Sequence, residues 1–162
     1  MTAGRNVNTG SVHWNTPPKY VQPVKKVLGV IELDPCSNIG SIVKATTELY
    51  ENGLDIDWNQ YNTIFVNPPY GRGIYNWLEK CYDAKGEVIA LIPVATNTKH
   101  WKDFVFKADS ICFLGDTRLK FMINGSTNNK GASMACCMVY WGSNHESFNK
   151  TFSDYGVCVK TI

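Results

Sequence analysis

The stretch NTIFVNPPYGRG, Asn62 to Gly73, decides how this 162-residue chain is read. Ile64, Phe65 and Val66 form the kind of apolar triplet that makes a strand buried on both faces, within a run that begins at Asn62. Pro68 and Pro69 have no N–H and a fixed φ, so the strand stops and the chain leaves the sheet in a stiff, extended turn. Gly71 and Gly73 allow another molecule to approach the backbone. Beyond them, Ile74, Trp77, Leu78 and Cys81 fall at helical spacing and predict an amphipathic helix that ends by Gly86. A side-chain amide, carbonyls stiffened by proline and the Tyr70 ring, all at the carboxyl end of a strand, make a place for a flat, heteroatom-rich group.

Downstream of this stretch, residues 87–94 are a continuous apolar run, the pattern of an interior parallel strand. Thr96, Asn97 and Thr98 cap a helix that carries Trp101, Phe104 and Val105 on one face. His100 lies in its first turn, a position that more often serves structure than chemistry. Residues 110–114 predict another strand. Arg118 and Lys120 then alternate with Leu119 and Phe121, so the cations share one side and the apolar residues the other. Residues 123–133 read as a polar loop able to touch base edges or clamp phosphate. Residues 132–141 predict the last long strand, followed by a mixed tail.

Upstream, residues 30–33 predict a strand running into Asp34, Pro35, Cys36, Ser37 and Asn38. A carboxylate followed by small residues just past a strand is where a doubly wound fold grips a nucleotide-like cofactor. A short helix is expected over 39–45, a strand over 47–50 and a turn at Asn52-Gly53. Asp55 and Asp57 beside Trp58 suit two roles equally: contacts to a cofactor's amine or ribose with the Trp covering its ring, or the solvent side of an edge strand. Nearer the start, Thr16 suits an N-cap with Pro17 at the first helical position, and Pro23 bends or divides the helix that Gly29 ends. Residues 1–13 read as a flexible arm and 14–162 as the folded domain.

Hydrophobic residues make up 44% and charged residues 19% of the 18.2 kDa chain, an ordinary mixture for a single α/β domain. No apolar run approaches the ~20 residues of a membrane span and the first residues do not form a secretion signal, so a cytoplasmic protein is expected. The six cysteines form no CxxC pair and the three histidines lie far from them in sequence, which argues against a zinc site. The net charge of +2 is uninformative, but its distribution is uneven. Between Glu32 and Asp57 there are six carboxylates and one lysine, whereas between Arg72 and Lys130 nine basic residues face six acidic ones. The first half suits a cation bearing hydroxyls, and the second suits phosphate.

Asn67-Pro68-Pro69-Tyr70 resembles the catalytic motif of amino-methyltransferases that use S-adenosyl-L-methionine. Trp14 to Pro17, Leu33 to Ser37, Asp57-Trp58, Asn67 to Gly71, Leu91 to Pro93 with Thr96 to Trp101, and Arg118 to Phe121 resemble, in the same order, the phage-type DNA N6-adenine methyltransferase family. The resemblance covers residues 14–141. It departs from the family in two places: only Gly40 follows Asp34 where two glycines are usual, and Asp116-Thr117 stands where a Gly tends to precede Arg118. Pro35-Cys36 is also similar to the nucleophile pair of cytosine-C5 methyltransferases, whose chemistry has no use for Asn-Pro-Pro-Tyr.

The resemblance implies a Rossmann-like class I fold, with a mostly parallel seven-stranded sheet and helices on both faces. It implies methyl transfer to N6 of an adenine flipped out of double-stranded DNA. Asn67, Pro68, Pro69 and Tyr70 would be catalytic. Trp14, Thr16, Pro17, Asp34, Pro35, Cys36, Asp57 and Asn67 would bind the cofactor, and Tyr70, Arg72, Arg118, Lys120 and Lys130 the DNA. The chain is expected to work as a monomer or weak homodimer. With no long region for target recognition, it is expected to choose its site through short loops or loosely. Two alternatives stay open: an enzyme acting on an RNA guanine amine or a protein glutamine amide, which the same tetrapeptide also serves, and a DNA- or cofactor-binding decoy without turnover.

Overall fold

The computed structural model describes residues 14–116, 119–123, 126–127 and 134–162. The expected arm at 1–13, Arg118, Lys130 and most of the 123–133 loop therefore lie outside the described residues. The elements are β1 (Trp14–Asn15), α1 (Pro18–Leu28), β2 (Leu33–Asp34), β3 (Thr47–Glu48), β4 (Thr63–Val66), α2 (Ile74–Asp83), β5 (Glu87–Pro93), α3 (Lys99–Asp103), β6 (Ser110–Leu114), β7 (Met122–Ile123), β8 (Ser126–Thr127), β9 (Cys136–Trp141), α4 (His145–Phe152) and β10 (Gly156–Lys160). Short 3-10 turns lie at Trp58–Gln60 and Val105–Lys107.

Seven strands form one sheet in the order β10-β6-β9-β5-β4-β2-β3, and β1-β7-β8 form a small second one. The sheet is mixed: β3, β2, β4, β5 and β6 run one way, as a mostly parallel sheet requires, and β9 and β10 run the other. β3, β2, β4 and β5 are mutually parallel neighbours, whereas β9 runs antiparallel to both β5 and β6, and β10 antiparallel to β6. The cause is connectivity. A parallel return needs a crossover, usually helical, and no helix lies between β6 and β9 among the described residues. A fully buried apolar run such as 136–141 encodes burial but not direction.

Side chains alternate across the sheet, and β5 shows the result most clearly. Ile89 and Leu91 pack with Tyr20, Val24, Phe148 and Phe152 on the α1 and α4 face. Val88, Ala90 and Ile92 pack with Leu78, Cys81 and Trp101 on the α2 and α3 face. Helices thus cover both faces, as expected. Fully burying a large aliphatic side chain is worth about 1.5–3 kcal/mol, so these two layers dominate the stability.

Several local expectations change. Helix α1 starts one residue later than expected, with Pro17 at the N-cap and Pro18 at the first position, and it runs unbroken through Pro23. The ~3 kcal/mol penalty of an interior proline is offset by burial of Tyr20, Val21, Val24 and Leu28 along one stripe. Residues 39–45 are not helical, because Gly40 and Lys44 take left-handed φ values of 80° and 55°. The strand expected at 30–33 is only Leu33–Asp34, and Val30 is exposed. The mixed tail resolves into α4 and β10. No helix of the described residues is long and apolar enough to cross a membrane.

Candidate functional site

The register brings Asp34 and Asn67 together. Leu33 pairs with Ile64 across parallel strands β2 and β4, so Asp34 lies beside Phe65 on the α1 face, and Asn67 follows two residues later at the same carboxyl edge. There a small, half-open cavity is lined by Trp14, Asn15, Thr16, Asp34, Cys36, Ser37, Asn38, Ser41, Val43, Phe65 and Asn67. Two hydrogen bonds tie opposite walls: Asn15 Nδ2 donates to the Ile39 carbonyl at 2.9 Å, and Asn38 Nδ2 to the Trp14 carbonyl at 3.0 Å.

Asp34 is 3% exposed. Burial pushes its carboxyl up to about 7 and the nearby Glu48 charge adds to the shift, while the Cys36 N–H, which donates to Oδ1 at 3.2 Å, and the Ser37 hydroxyl oppose it. The Ser37 hydroxyl is itself buried and has no hydrogen-bond partner of good geometry among the described residues. A buried carboxyl near neutrality beside an unmatched hydroxyl, on the wall of a cavity, is a donor set suited to a ligand with hydroxyls and a positive charge.

The Asn67 amide is held at one end, where Nδ2 donates to Thr16 Oγ1 at 3.1 Å. Thr16 is itself buried between β1 and α1. The backbone N–H of Asn67 points to the Cys36 sulfur. Desolvation, and then the Asp34 charge, push the Cys36 thiol well above its ordinary range, so a thiolate nucleophile is disfavoured there. Tyr70 is half-buried just beyond. Its hydroxyl donates to the Leu91 carbonyl at 3.3 Å, and its ring meets Phe121 edge-on at 6.0 Å. Phe121 also touches Trp14 at 5.1 Å, so β1, the Asn-Pro-Pro-Tyr turn and the segment before β7 share one aromatic seam.

Of the residues singled out from the sequence, the cavity gathers Trp14, Thr16, Asp34, Cys36 and Asn67. Pro17, Pro35, Pro68, Pro69 and Tyr70 flank it without lining it. Asp57 is placed elsewhere: its carboxylate accepts the Asn59 N–H at 3.0 Å and caps a 3-10 turn, so neither an edge strand nor a cavity contact forms. Trp58 is 2% exposed in the core on the α2 face. Arg72 is exposed, and so is Lys120, between the buried Leu119 and Phe121.

The sequence reading missed Asn15, Ser41 and Val43, the last two because 39–45 read as a helix. It also missed the support beneath the Asp34 loop. A Cβ on Gly53 would overlap the Pro35 carbonyl oxygen, and Trp58 Nε1 donates to the Gly53 carbonyl at 2.8 Å. The Asn-Gly pair signalled a turn, and nothing in the sequence signalled what the turn presses against.

Searches of curated proteins and of solved structures returned no match. A family model, described as DNA N-6-adenine-methyltransferase (Dam), matches residues 7–155 of the 162. The match runs through both Asp34 and Asn67, and the chain belongs to that family of DNA N-6-adenine-methyltransferases.

Proposed function

We propose that the protein transfers a methyl group from S-adenosyl-L-methionine to N6 of an adenine extruded from double-stranded DNA, on a Rossmann-like methyltransferase scaffold. The observation that carries this reading is the shared cavity of Asp34 and Asn67 at the carboxyl edge of adjacent parallel strands, the usual ligand position in open α/β sheets. The donor set fits the cofactor. Asp34 and Ser37 would hold its hydroxyls and complement its positive charge, with Trp14 beside them; when bound, it supplies a methyl group already activated by sulfonium.

The chain's own task is then to make a poor nucleophile attack. The adenine amine lone pair is delocalised into the ring. Asn67 Oδ1 and the Pro68 carbonyl each accept one of its N–H groups, which draws the nitrogen toward tetrahedral geometry and aims the lone pair at the methyl group. Pro69 keeps that carbonyl rigid, and Tyr70 stacks on the base. Because an edge recessed beside the sheet cannot reach a paired base, the adenine leaves the stack. The extra proton on the methylated nitrogen passes to water. Arg72, Arg118, Lys120 and Lys130 contact the backbone phosphates, and the loop 123–133 selects or tolerates neighbouring bases.

The test is tritium transfer from labelled cofactor to duplex DNA, to RNA and to glutamine-bearing protein, followed by nucleoside mass analysis. N6-methyladenine in DNA is the expected product. Label confined to RNA guanine or to protein overturns the substrate, and cofactor binding without transfer to any of the three overturns turnover.

A further inference from the structure

We infer that Thr16 is a positioning residue that holds the Asn67 amide with its oxygen toward the substrate amine; this rests on the reading of Asn67 as the amine's acceptor. A carboxylate presents oxygen whichever way it turns, but an amide has a single acceptor end and two donors at the other. Turned the wrong way, Asn67 would set N–H against the N–H of the amine. Turned the right way, its own Nδ2 must find an acceptor inside a half-buried edge, and Thr16 Oγ1 is that acceptor at 3.1 Å. A hydroxyl can satisfy either end of an amide, so Thr16 alone leaves both orientations open. With the amine present, only the oxygen-outward one sets an acceptor against its N–H while Nδ2 keeps Thr16 Oγ1.

The placement of Thr16 is over-determined. On one side, Trp14 and Asn15 pair with Ile123 and Met122 in the small sheet, and the Asn15 side chain is bonded to the Ile39 carbonyl. On the other, the Pro17 carbonyl accepts the Tyr20 and Val21 N–H groups as α1 begins. The residue is 3% exposed and its β-branch restricts χ1, so the hydroxyl position is fixed by backbone on both flanks. A side chain reaching Asn67 from 51 positions away thereby fixes where the amide sits, and the bound amine selects its oxygen-outward orientation.

The experiment compares Thr16→Val, Thr16→Ala and Thr16→Ser by single-turnover methyl transfer, with cofactor affinity measured by calorimetry and folding by circular dichroism. Val is nearly isosteric and removes only the hydroxyl, and Ala guards against a packing failure of Val. Both are expected to lower the transfer rate about 10- to 100-fold, the range of one unmatched buried polar group, and to lower it by more than they lower cofactor affinity. Ser is expected to restore most of the rate. In an Asn67→Ala background, Thr16→Val is expected to add no further loss, because Thr16 acts only through that amide. A rate within threefold of wild type for Val and Ala, a loss that appears equally in cofactor affinity, or full additivity with Asn67→Ala overturns the inference alone. A wild-type protein that methylates no nucleobase amine overturns the reading of Asn67 and this inference with it.

Discussion

If Asp34 holds the cofactor, binding must expel its proton, and cofactor affinity will then depend on pH in a calculable way. Burial raises the carboxyl from 3.8 to about 7 in the unliganded protein. The cationic, hydroxyl-rich ligand favours the ionised form and lowers it again, so a protein with Asp34 protonated must first lose that proton. For a free-site value near 7, affinity is reduced about 11-fold at pH 6 and about 1.1-fold at pH 8, a tenfold difference or roughly 1.4 kcal/mol. Titration calorimetry at pH 6, 7 and 8, in two buffers of different ionisation enthalpy, reads both the affinity and the protons released. About 0.9 proton is expected at pH 6 and about 0.1 at pH 8, with Asp34→Asn abolishing the dependence. The same shift acts on folding with a definite sign. Because the native carboxyl is raised, the unliganded native state keeps a proton that the unfolded chain releases, so stability falls between about pH 4 and pH 7 and the full burden remains above. That burden is on the order of 4 kcal/mol. An affinity that varies less than twofold from pH 6 to pH 8, with no proton released, refutes the reasoning.

Gly53→Ala is expected to push the Pro35 carbonyl away and to weaken cofactor binding at least tenfold, while α4 and β10 keep their native hydrogen-exchange protection; unchanged affinity by calorimetry contradicts the support role. Leu91→Ala, at a fully buried position in β5, is expected to cost about 2–5 kcal/mol in urea unfolding; a loss under 1 kcal/mol would mean that the α1 face is loosely packed. Lys120→Ala is expected to reduce by about 1 the slope of log affinity for duplex DNA against log salt, with equal effect on unrelated sequences; an unchanged slope removes Lys120 from the phosphate contacts.

The interior of the fold was legible because its signals are local and dense. Residues 87–93 are too apolar to be anything but an inner strand, and Ile74, Leu78 and Cys81 mark one helix face without ambiguity. Strand direction was not legible, since β9 would look the same running either way. Pro23 misled because a proline's penalty is local whereas the burial that outweighs it is tertiary. In the site, Asp34 and Asn67 could be picked out because each ends a strand with a polar group followed by proline. Asp57 could not be placed, because a carboxylate before a Trp suits a turn cap as well as a ligand contact. Ser41, Val43 and Gly53 gained their positions from how the loops 36–46 and 50–57 fold against the sheet edge, which no periodicity records.

The central claim is that Asn67 acts on the substrate amine more than on the cofactor whose cavity it also lines, and one comparison tests it most directly. In Asn67→Ala, methyl transfer to N6 of adenine in duplex DNA and the dissociation constant for S-adenosyl-L-methionine are measured side by side. Loss of one preorganised acceptor predicts a transfer rate lower by about 10²–10³, with cofactor affinity changed less than about threefold. Transfer retained within tenfold of wild type, or a loss matched by an equal loss of cofactor affinity, contradicts the account.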